Sequence, residues 1–407
     1  MRVVITHPGL QHAHRLAAAL EAAGSLALLW TGVPLQAPGE APGLLSRVAG
    51  RLRATSVPAA RRWHSPQFPA VRRIGERLLP AGPANAASHR LDHAFDAWAA
   101  RRISSLCPTM VVAYENTAFE TFKAARRAGA ICVLDAASIH HRSMKSLSEG
   151  AVPANPDWIN RRKDEEIALA DHILVCSEFA AETYRQHGVA ASHVTACPLG
   201  TDLPEVISPI ADRSDRRRSV RFVFAGNVTR LKGVDVLIEA FSATRAAGAD
   251  AELTLIGGWV DAEVVAAARA TPGITLLPHA PQPELFATIA SHDCLVLPSR
   301  FDGFGMVVPE AMALGVPVIV SDRVGAKMVV EDFPGAGWIV PVDATALASR
   351  MIALATDRSE LAAGAQVTRR AARHYSWDAY STRVTGILAD VQRRHEGGRR
   401  HDLGLAA

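Results

Sequence analysis

The sequence predicts two doubly wound α/β domains, and three observations carry that prediction. Short continuous apolar runs alternate with helical patterns along nearly the whole chain, as in parallel sheets covered by helices on both faces. The runs fall into two successive series. Between them, residues 203–221 read LPEVISPIADRSDRRRSVR, where proline breaks lead into a charged run and a new strand, the composition of an exposed linker.

The first series opens with Val3–Thr6, a helical pattern over Gln11–Ala22 and a strand over Leu26–Trp30. Met110–Tyr114 and Ile131–Leu134 enclose a helix over Phe119–Ala128, and a helix over Trp158–Ala170 precedes strands Ile173–Cys176 and Val194–Cys197. The second series runs Val220–Ala225, Leu253–Gly257, Ile274–Leu277, Cys294–Pro298, Val316–Val320 and Trp338–Val340, with helices over Val234–Thr244 and Leu347–Ala355. This divides the chain into domains 1–204 and 205–375, a last helix over 376–395 entered through His-Tyr-Ser-Trp, and a Gly- and Arg-rich frayed tail, 396–407.

Composition bounds the partners. With 49% apolar residues the 407-residue chain is not disordered, and its low cysteine content excludes a small disulfide scaffold. A net charge of +4 is too balanced for a nucleic-acid binder. The five cysteines form no CxxC pair, and four of them lie in or beside apolar runs, which points to buried reduced thiols and a cytoplasmic setting. The opening RVVIT is too short for a signal peptide, and no uninterrupted apolar stretch reaches membrane-spanning length. One segment, 45–80, stands outside the alternation. It carries Arg47, Arg51, Arg53, Arg61, Arg62, Arg72, Arg73 and Arg77 against Glu76, with Trp63, Phe68, Leu78 and Leu79 interleaved. It reads as a basic insertion, either solvated or lying on an anionic membrane surface such as the inner membrane face.

The densest chemistry lies in residues 295–322, LVLPSRFDGFGMVVPEAMALGVPVIVSD. A strand ends at Pro298, a loop with Asp302, Gly303 and Gly305 follows, and a helix begins near Met306. Glycine lets backbone approach a ligand closely, and the free N–H groups of a helix start favour an anion such as a diphosphate. Asp302 and Glu310 supply carboxylates that accept hydrogen bonds from sugar hydroxyls; the plain alternative is a tight turn with incidental acids. A second block, FVFAGNVTRLKGVDVLIEAF (222–241), leads from a buried strand through Gly226 to Lys232-Gly233 and a helix. A lysine at a helix N-terminus is electrostatically unhelpful to that helix and makes sense if it neutralises phosphate, with Arg230 as a second, planar contact. The alternative is a pair of solvated cations.

Together these blocks resemble the retaining glycosyltransferases of family 4. The resemblance rests on Gly226-Asn227-x(4)-Lys232-Gly233, on Pro298-Ser299…Asp302-x(7)-Glu310 continued as EAMALGVPVI, and on ALADHILVCSEFAAETY (168–184), GV…VTACPLGTD (188–202), LTLIGG (253–258) and HYSWDAY (374–380). It covers most of residues 165–390. It implies the GT-B architecture: two Rossmann-like domains facing a cleft, the second binding the donor, the first the acceptor, and a C-terminal helix crossing back to the first. It also implies retaining transfer of a sugar from a GDP- or UDP-linked donor to a hydroxyl of a glycan, glycolipid or small molecule, with no metal and no further cofactor. No DxD-type carboxylate pair follows a strand.

The implied roles follow the matched positions. Lys232 would bind the donor diphosphate and Glu310 the ribose hydroxyls. Asp302, Gly303, Phe304 and Gly305 would contact sugar and phosphates, assisted by the amides of Met306 and Val307. Gly257 and Gly258 would lie near the nucleotide. This chain departs from the pattern in three places. Asp302 replaces a Glu. Asn227 stands where an Arg commonly assists Lys232, leaving Arg230 for that task. Val329 occupies an expected acidic position, with Glu331 two residues later. In the first domain, Gly9 follows the first strand beside His7, Gln11, His12 and His14, on the acceptor side. Asp135 sits nearer the place where the family carries a His close to the reacting sugar, while His140 matches the residue type and is preferred as the catalytic-centre group. The competing readings are a nucleotide-sugar epimerase or hydrolase on the same fold, and a non-catalytic glycan-binding protein.

Overall fold

The computed structural model describes residues 1–32, 35–36, 53–64, 81–151, 155–203 and 219–404. The first domain contains β1 (Val3–His7), β2 (Leu26–Thr31), β3 (Leu35–Gln36), β4 (Arg53–Ala54), β5 (Arg62–His64), β6 (Met110–Tyr114), β7 (Ile131–Ala136), β8 (His172–Val175) and β9 (Val194–Ala196). Seven of them form one parallel sheet in the order β5-β2-β1-β6-β7-β8-β9, and β3 pairs with β4. The second domain contains β10 (Val220–Ala225), β11 (Ala251–Gly257), β12 (Ile274–Pro278), β13 (Cys294–Leu297), β14 (Val318–Ser321) and β15 (Gly337–Val340), in the order β12-β11-β10-β13-β14-β15.

Both sheets reverse strand order beside their first strand, at β1/β6 and at β10/β13. Helices diverge to opposite faces at such a point and leave a crevice beyond the carboxyl ends of the strands. The apolar runs form strands because both faces are covered: β1, β7, β8, β13 and β14 are buried along their whole lengths. Cys132, Cys176, Cys197 and Cys294 are buried free thiols, and Cys107 is exposed. Among the described residues, no helix is long and apolar enough to cross a membrane.

The last helix, Trp377–Gly404, returns to the first domain and packs on the helix Ala13–Ala22. Its buried stripe, Tyr380, Val384, Leu388 and Val391, has helical spacing. Arg394 donates to the Ser192 carbonyl at 2.8 Å. At the junction, Thr201 pairs with Ser376, and the Arg15 guanidinium lies 4.9 Å from the Trp377 ring centroid.

Two expectations are corrected. The final helix does not stop at 394 or 395: residues 396–404 continue it, with Gln392 donating to Glu396 at 2.7 Å. Local i,i+4 pairing offsets the low helix propensity of Gly397 and Gly398. The basic run 45–80 is not wholly an insertion, because Arg62–His64 form the edge strand β5 against β2. Three residues carry no readable alternation, and tertiary contact decides: Trp63 stacks on Trp98 at 4.5 Å, and Arg102 covers both rings. The rest of that run, at 45–52 and 65–80, and most of the proposed linker, 204–218, lie outside the described residues. The helix Ala81–Leu106, 26 residues long, went unforeseen because its Ala-rich sequence has a weak apolar stripe.

The helix Phe119–Arg127 shows how buried charge serves the fold. Its N-cap, Ala118, offers no side chain to the orphan amides. Two buried carboxylates supply the acceptors instead. Glu166 accepts from Asn116 N at 2.6 Å and Ala118 N at 3.0 Å, and Asp96 accepts from Glu120 N and Thr121 N, both at 2.8 Å. Arg162 pairs with Asp96. Burial, opposed by those amides, raises the Glu166 pKa to about 7. The unfolded chain releases this proton near pH 4.5 and the folded chain near 7, so stability falls as pH rises through that window. The melting-temperature advantage of the wild type over Glu166→Gln should therefore shrink from pH 4.5 to 7; a pH-independent difference would contradict this.

Candidate active site

The site grows from close backbone packing at the β10/β13 switch point. Gly233 caps the helix Val234–Ala246 at φ +68°, and a Cβ there would lie 1.9 Å from the Pro298 carbonyl oxygen. Only glycine tolerates both conditions. This contact seats the 226–232 loop directly on the end of β13. Lys232 thereby reaches Asp302, with Nζ 2.6 Å from Oδ2 in a partly exposed ion pair. Gly257 closes the other wall at φ +148°, where a Cβ would lie 2.0 Å from the Gly226 carbonyl oxygen. The Asn227 side chain occupies the space beside Gly258, 2.6 Å from where a Cβ would stand.

The 302–305 loop then meets the first domain. Its shape is held by Asp302, whose backbone N–H donates to Arg323 O at 3.1 Å and whose carbonyl accepts from Gly325 N at 2.9 Å. Phe304 is buried and Gly305 adopts φ +90°. Met306 and Val307 follow at the start of the helix Val307–Ala313, with amides that lack intrahelical acceptors as at any helix start. Gly303 lies against the chain just past β7, where a Cβ would sit 2.9 Å from Ala137 O. Ser177 makes the cross-domain bond, its hydroxyl donating to Gly303 O at 2.6 Å while accepting from Ala180 N as the N-cap of the helix Glu178–Gln186. Glu149 adds a second tie, pairing with Arg300 at 3.1 Å and Arg323 at 2.6 Å. The carboxyl ends of the two sheets thus face each other.

Glu310 stands in the first turn of the helix Val307–Ala313. Burial, reinforced by the charge of Asp202, raises its pKa to about 7. Asp202 is held by Arg15 of the first domain at 2.7 Å. Arg230, expected at phosphate, is paired here with Glu263 at 2.9 Å and lies 3.9 Å from Asp261, both at the start of the helix Ala262–Ala270. Val329 is fully buried, while Glu331 is exposed.

In the first domain the structure joins two of the expected residues and sets a third apart. His12 Nε2 lies 3.0 and 2.9 Å from the carboxylate oxygens of Asp135, and both residues are buried. Burial opposes protonation of His12, but the charge and hydrogen bond of Asp135 outweigh it and raise the pKa. Asp135 is the penultimate residue of β7, beside Cys176, and Cys176 Sγ lies 3.4 Å from a Cβ built on Gly303. Gly9 is fixed by Thr31 Oγ1, which donates to its carbonyl at 2.6 Å, and Gln11 takes the uncommon φ of +31°. His140 is buried between His141 and His187, each ring 4.4 Å away, with Tyr184 edge-on. Its Nδ1 accepts from Arg142 N, and burial, followed by its histidine neighbours, lowers its pKa to about 3. These neighbours all belong to the first domain. His140, His141 and Asp164 bring donor atoms within 4.8 Å, but Arg142 already binds that carboxylate.

The residues that sequence reading missed are Ser177, Asp202, Glu149 and Cys176. Ser177 carried a signal, a serine directly after a strand and before Glu-Phe-Ala, which is an N-cap pattern. The others act across 100 or more positions and leave no local trace. Gly325 tests the closed arrangement, because a Cβ there would lie 2.0 Å from Gly303 O and 2.4 Å from Ser177 Oγ. Gly325→Ala should enlarge the radius of gyration in small-angle scattering and leave the far-UV circular dichroism unchanged. An unaltered radius would contradict the placement.

The sequence model of the glycosyl transferases group 1 family matches residues 219–357. A D-inositol 3-phosphate glycosyltransferase of Xylanimonas cellulosilytica is 28% identical over 255 residues, 57% of this chain and 60% of that protein. One from Arthrobacter sp. is 31% identical over 182 residues, 40% of this chain and 43% of that protein. The chain thus aligns with about 60% or less of the length of these relatives. Among solved structures, Anabaena Alr3699/HepE in complex with UDP superposes with a TM-score of 0.64 at 16% identity, over 96% of this chain and all (100%) of that one. The sucrose-phosphate synthase of Thermosynechococcus elongatus gives 0.64 at 19% identity, over 96% and 99%. These structures share the two-domain architecture. The chain has the GT-B fold, and it resembles the group 1 glycosyltransferases in the residues that build its second domain.

Proposed function

We propose that this protein is a retaining, metal-independent glycosyltransferase that moves a sugar from a UDP- or GDP-linked donor to a hydroxyl of a glycan or glycolipid acceptor in the cytoplasm. The observation that carries the reading is the Lys232–Asp302 ion pair, set at the β10/β13 switch point beneath a helix start and facing the first domain. On donor binding, Lys232 exchanges Asp302 for the diphosphate, and Asp302 is released to accept a sugar hydroxyl. Lysine and the 305–307 amides then meet the charge that develops on the leaving phosphate oxygen, stabilising the transition state more than the ground state. Arg230 joins them by leaving Glu263. Asn227, Gly257 and Gly258 bound the nucleotide, and Glu310 accepts the ribose hydroxyls. Gly9, His12, Asp135 and His140 line the acceptor side, His12 and Asp135 as a buried pair and His140 as the group at the reacting centre. Contact between the domains at Gly303 and Ser177 keeps water from the reacting carbon. Anabaena Alr3699/HepE has been solved with UDP and with UDP and glucose, which supports a uridine donor.

The test is NMR of the donor and product anomers with candidate acceptors. Transfer with retained configuration, lost in Lys232→Ala and Glu310→Gln without loss of fold, is expected. Wild-type activity in both variants would sink the proposal, and donor breakdown without acceptor would favour the hydrolase or epimerase reading.

Glu310 also sets a pH dependence. Accepting hydrogen bonds from two hydroxyls favours its carboxylate form, so donor binding releases a proton below pH 7. Calorimetry should show donor affinity rising by at most about tenfold per pH unit toward 7 and levelling above it. Glu310→Gln should abolish the slope, and an equal slope in that variant would contradict the role.

Peripheral membrane contact through the 45–80 run is part of the proposal, supported by Trp63, 44% exposed on the edge strand. Binding to anionic liposomes should weaken with salt. Equal binding after neutralising the eight arginines would remove this element.

A further inference from the structure

The carboxyl ends of the first sheet form the cleft, but a separate cavity of about 460 Å³ lies at the opposite pole. It opens beside the starts of β8 and β9 and is closed by the returning helix Trp377–Gly404. Arg126, Asp171, His172, His193, Arg394 and His395 line it. Asp171 is the single carboxylate among these residues, and it is already committed. Its Oδ2 accepts from Cys132 N at 2.8 Å, and its Oδ1 lies 3.7 Å from Arg126. Arg394 uses one nitrogen on the Ser192 carbonyl at 2.8 Å and keeps further donors. His172 is satisfied by Thr195 Oγ1 at 3.0 Å. His395 Nε2 is buried with no hydrogen-bond partner among the described residues.

The cavity therefore gathers two guanidinium groups, three imidazoles and one compensated acid, in a volume suited to a small ligand. Planar guanidinium donors match the oxygens of a phosphate group. We infer that this cavity binds a phosphate-bearing anion, which fastens the returning helix to the first domain by joining Arg394 and His395 to Arg126 and His193. The inference stands apart from the glycosyl-transfer reading, since none of these residues touches the cleft. Phosphate could come from a soluble ester or from a lipid headgroup, and the chemistry of the site is shared by both.

Two probes distinguish the sources. Glycerol 3-phosphate is titrated by calorimetry into the wild type and into Arg126→Gln, Arg394→Gln and His395→Asn, with circular dichroism as the check on folding. The same proteins are co-sedimented with phosphatidylcholine vesicles with and without phosphatidic acid. Saturable glycerol 3-phosphate binding, weakened tenfold or more in the folded variants, supports a soluble ligand. Phosphatidic-acid-dependent sedimentation alone, lost in the same variants, supports a lipid headgroup. Lys232→Ala keeps either binding. Absence of binding to both probes, binding unchanged in every folded variant, or its loss in Lys232→Ala overturns the inference.

Discussion

Direct packing of backbone on backbone governs this cleft. Gly233 rests on the Pro298 carbonyl, Gly257 on that of Gly226, and Gly325 on that of Gly303. A methyl group at any of these points would collide with a carbonyl oxygen, an atom that cannot rotate away. Each contact draws a loop onto the end of a strand. The side chains that follow, Lys232 and Asp302, are then aimed by the backbone rather than by their own packing. Because all three contacts lie within the second domain and the third also abuts Ser177 of the first, the same device shapes the donor pocket and its closure.

The charges inherit their arrangement from that frame. Lys232 is partnered by Asp302, so neither charge faces solvent alone, and an incoming anion exchanges one partner for another rather than meeting a bare cation. Glu310 differs: burial and Asp202 leave it without a cation among the interactions that set its titration, and its proton is held to about pH 7. The first domain uses the reverse arrangement, with His12 and Asp135 stabilising one another in a buried pair. One wall of the cleft thus offers an exchangeable cation and a reluctant acid, the other a fixed polar pair.

Much of this was legible in the sequence. The strands were visible because parallel strands buried on both faces are continuous apolar runs, and the glycines because Lys232-Gly233 and Asp302-Gly303-Phe304-Gly305 interrupt those runs at strand ends. What escaped has a common cause. His12 and Asp135 are separated by 123 positions, and their pairing exists only after β1 and β7 enter one sheet. Arg230 is drawn to Glu263 and Asp261 by the fold of β11 and its following helix, which loop composition could not reveal. His140 matched a residue type but lies one loop beyond the strand end, where its ring stacks between two histidines. The edge strand β5 was hidden by its length, three residues among arginines.

The most direct test of the account is whether Lys232 recognises the diphosphate and nothing else. Calorimetric titration of UDP, GDP and their parent nucleosides into the wild type and Lys232→Ala measures this. The account predicts that the preferred nucleoside diphosphate binds at least tenfold more weakly to Lys232→Ala, while the nucleoside binds both proteins equally. Equal diphosphate affinity in the two proteins would contradict it.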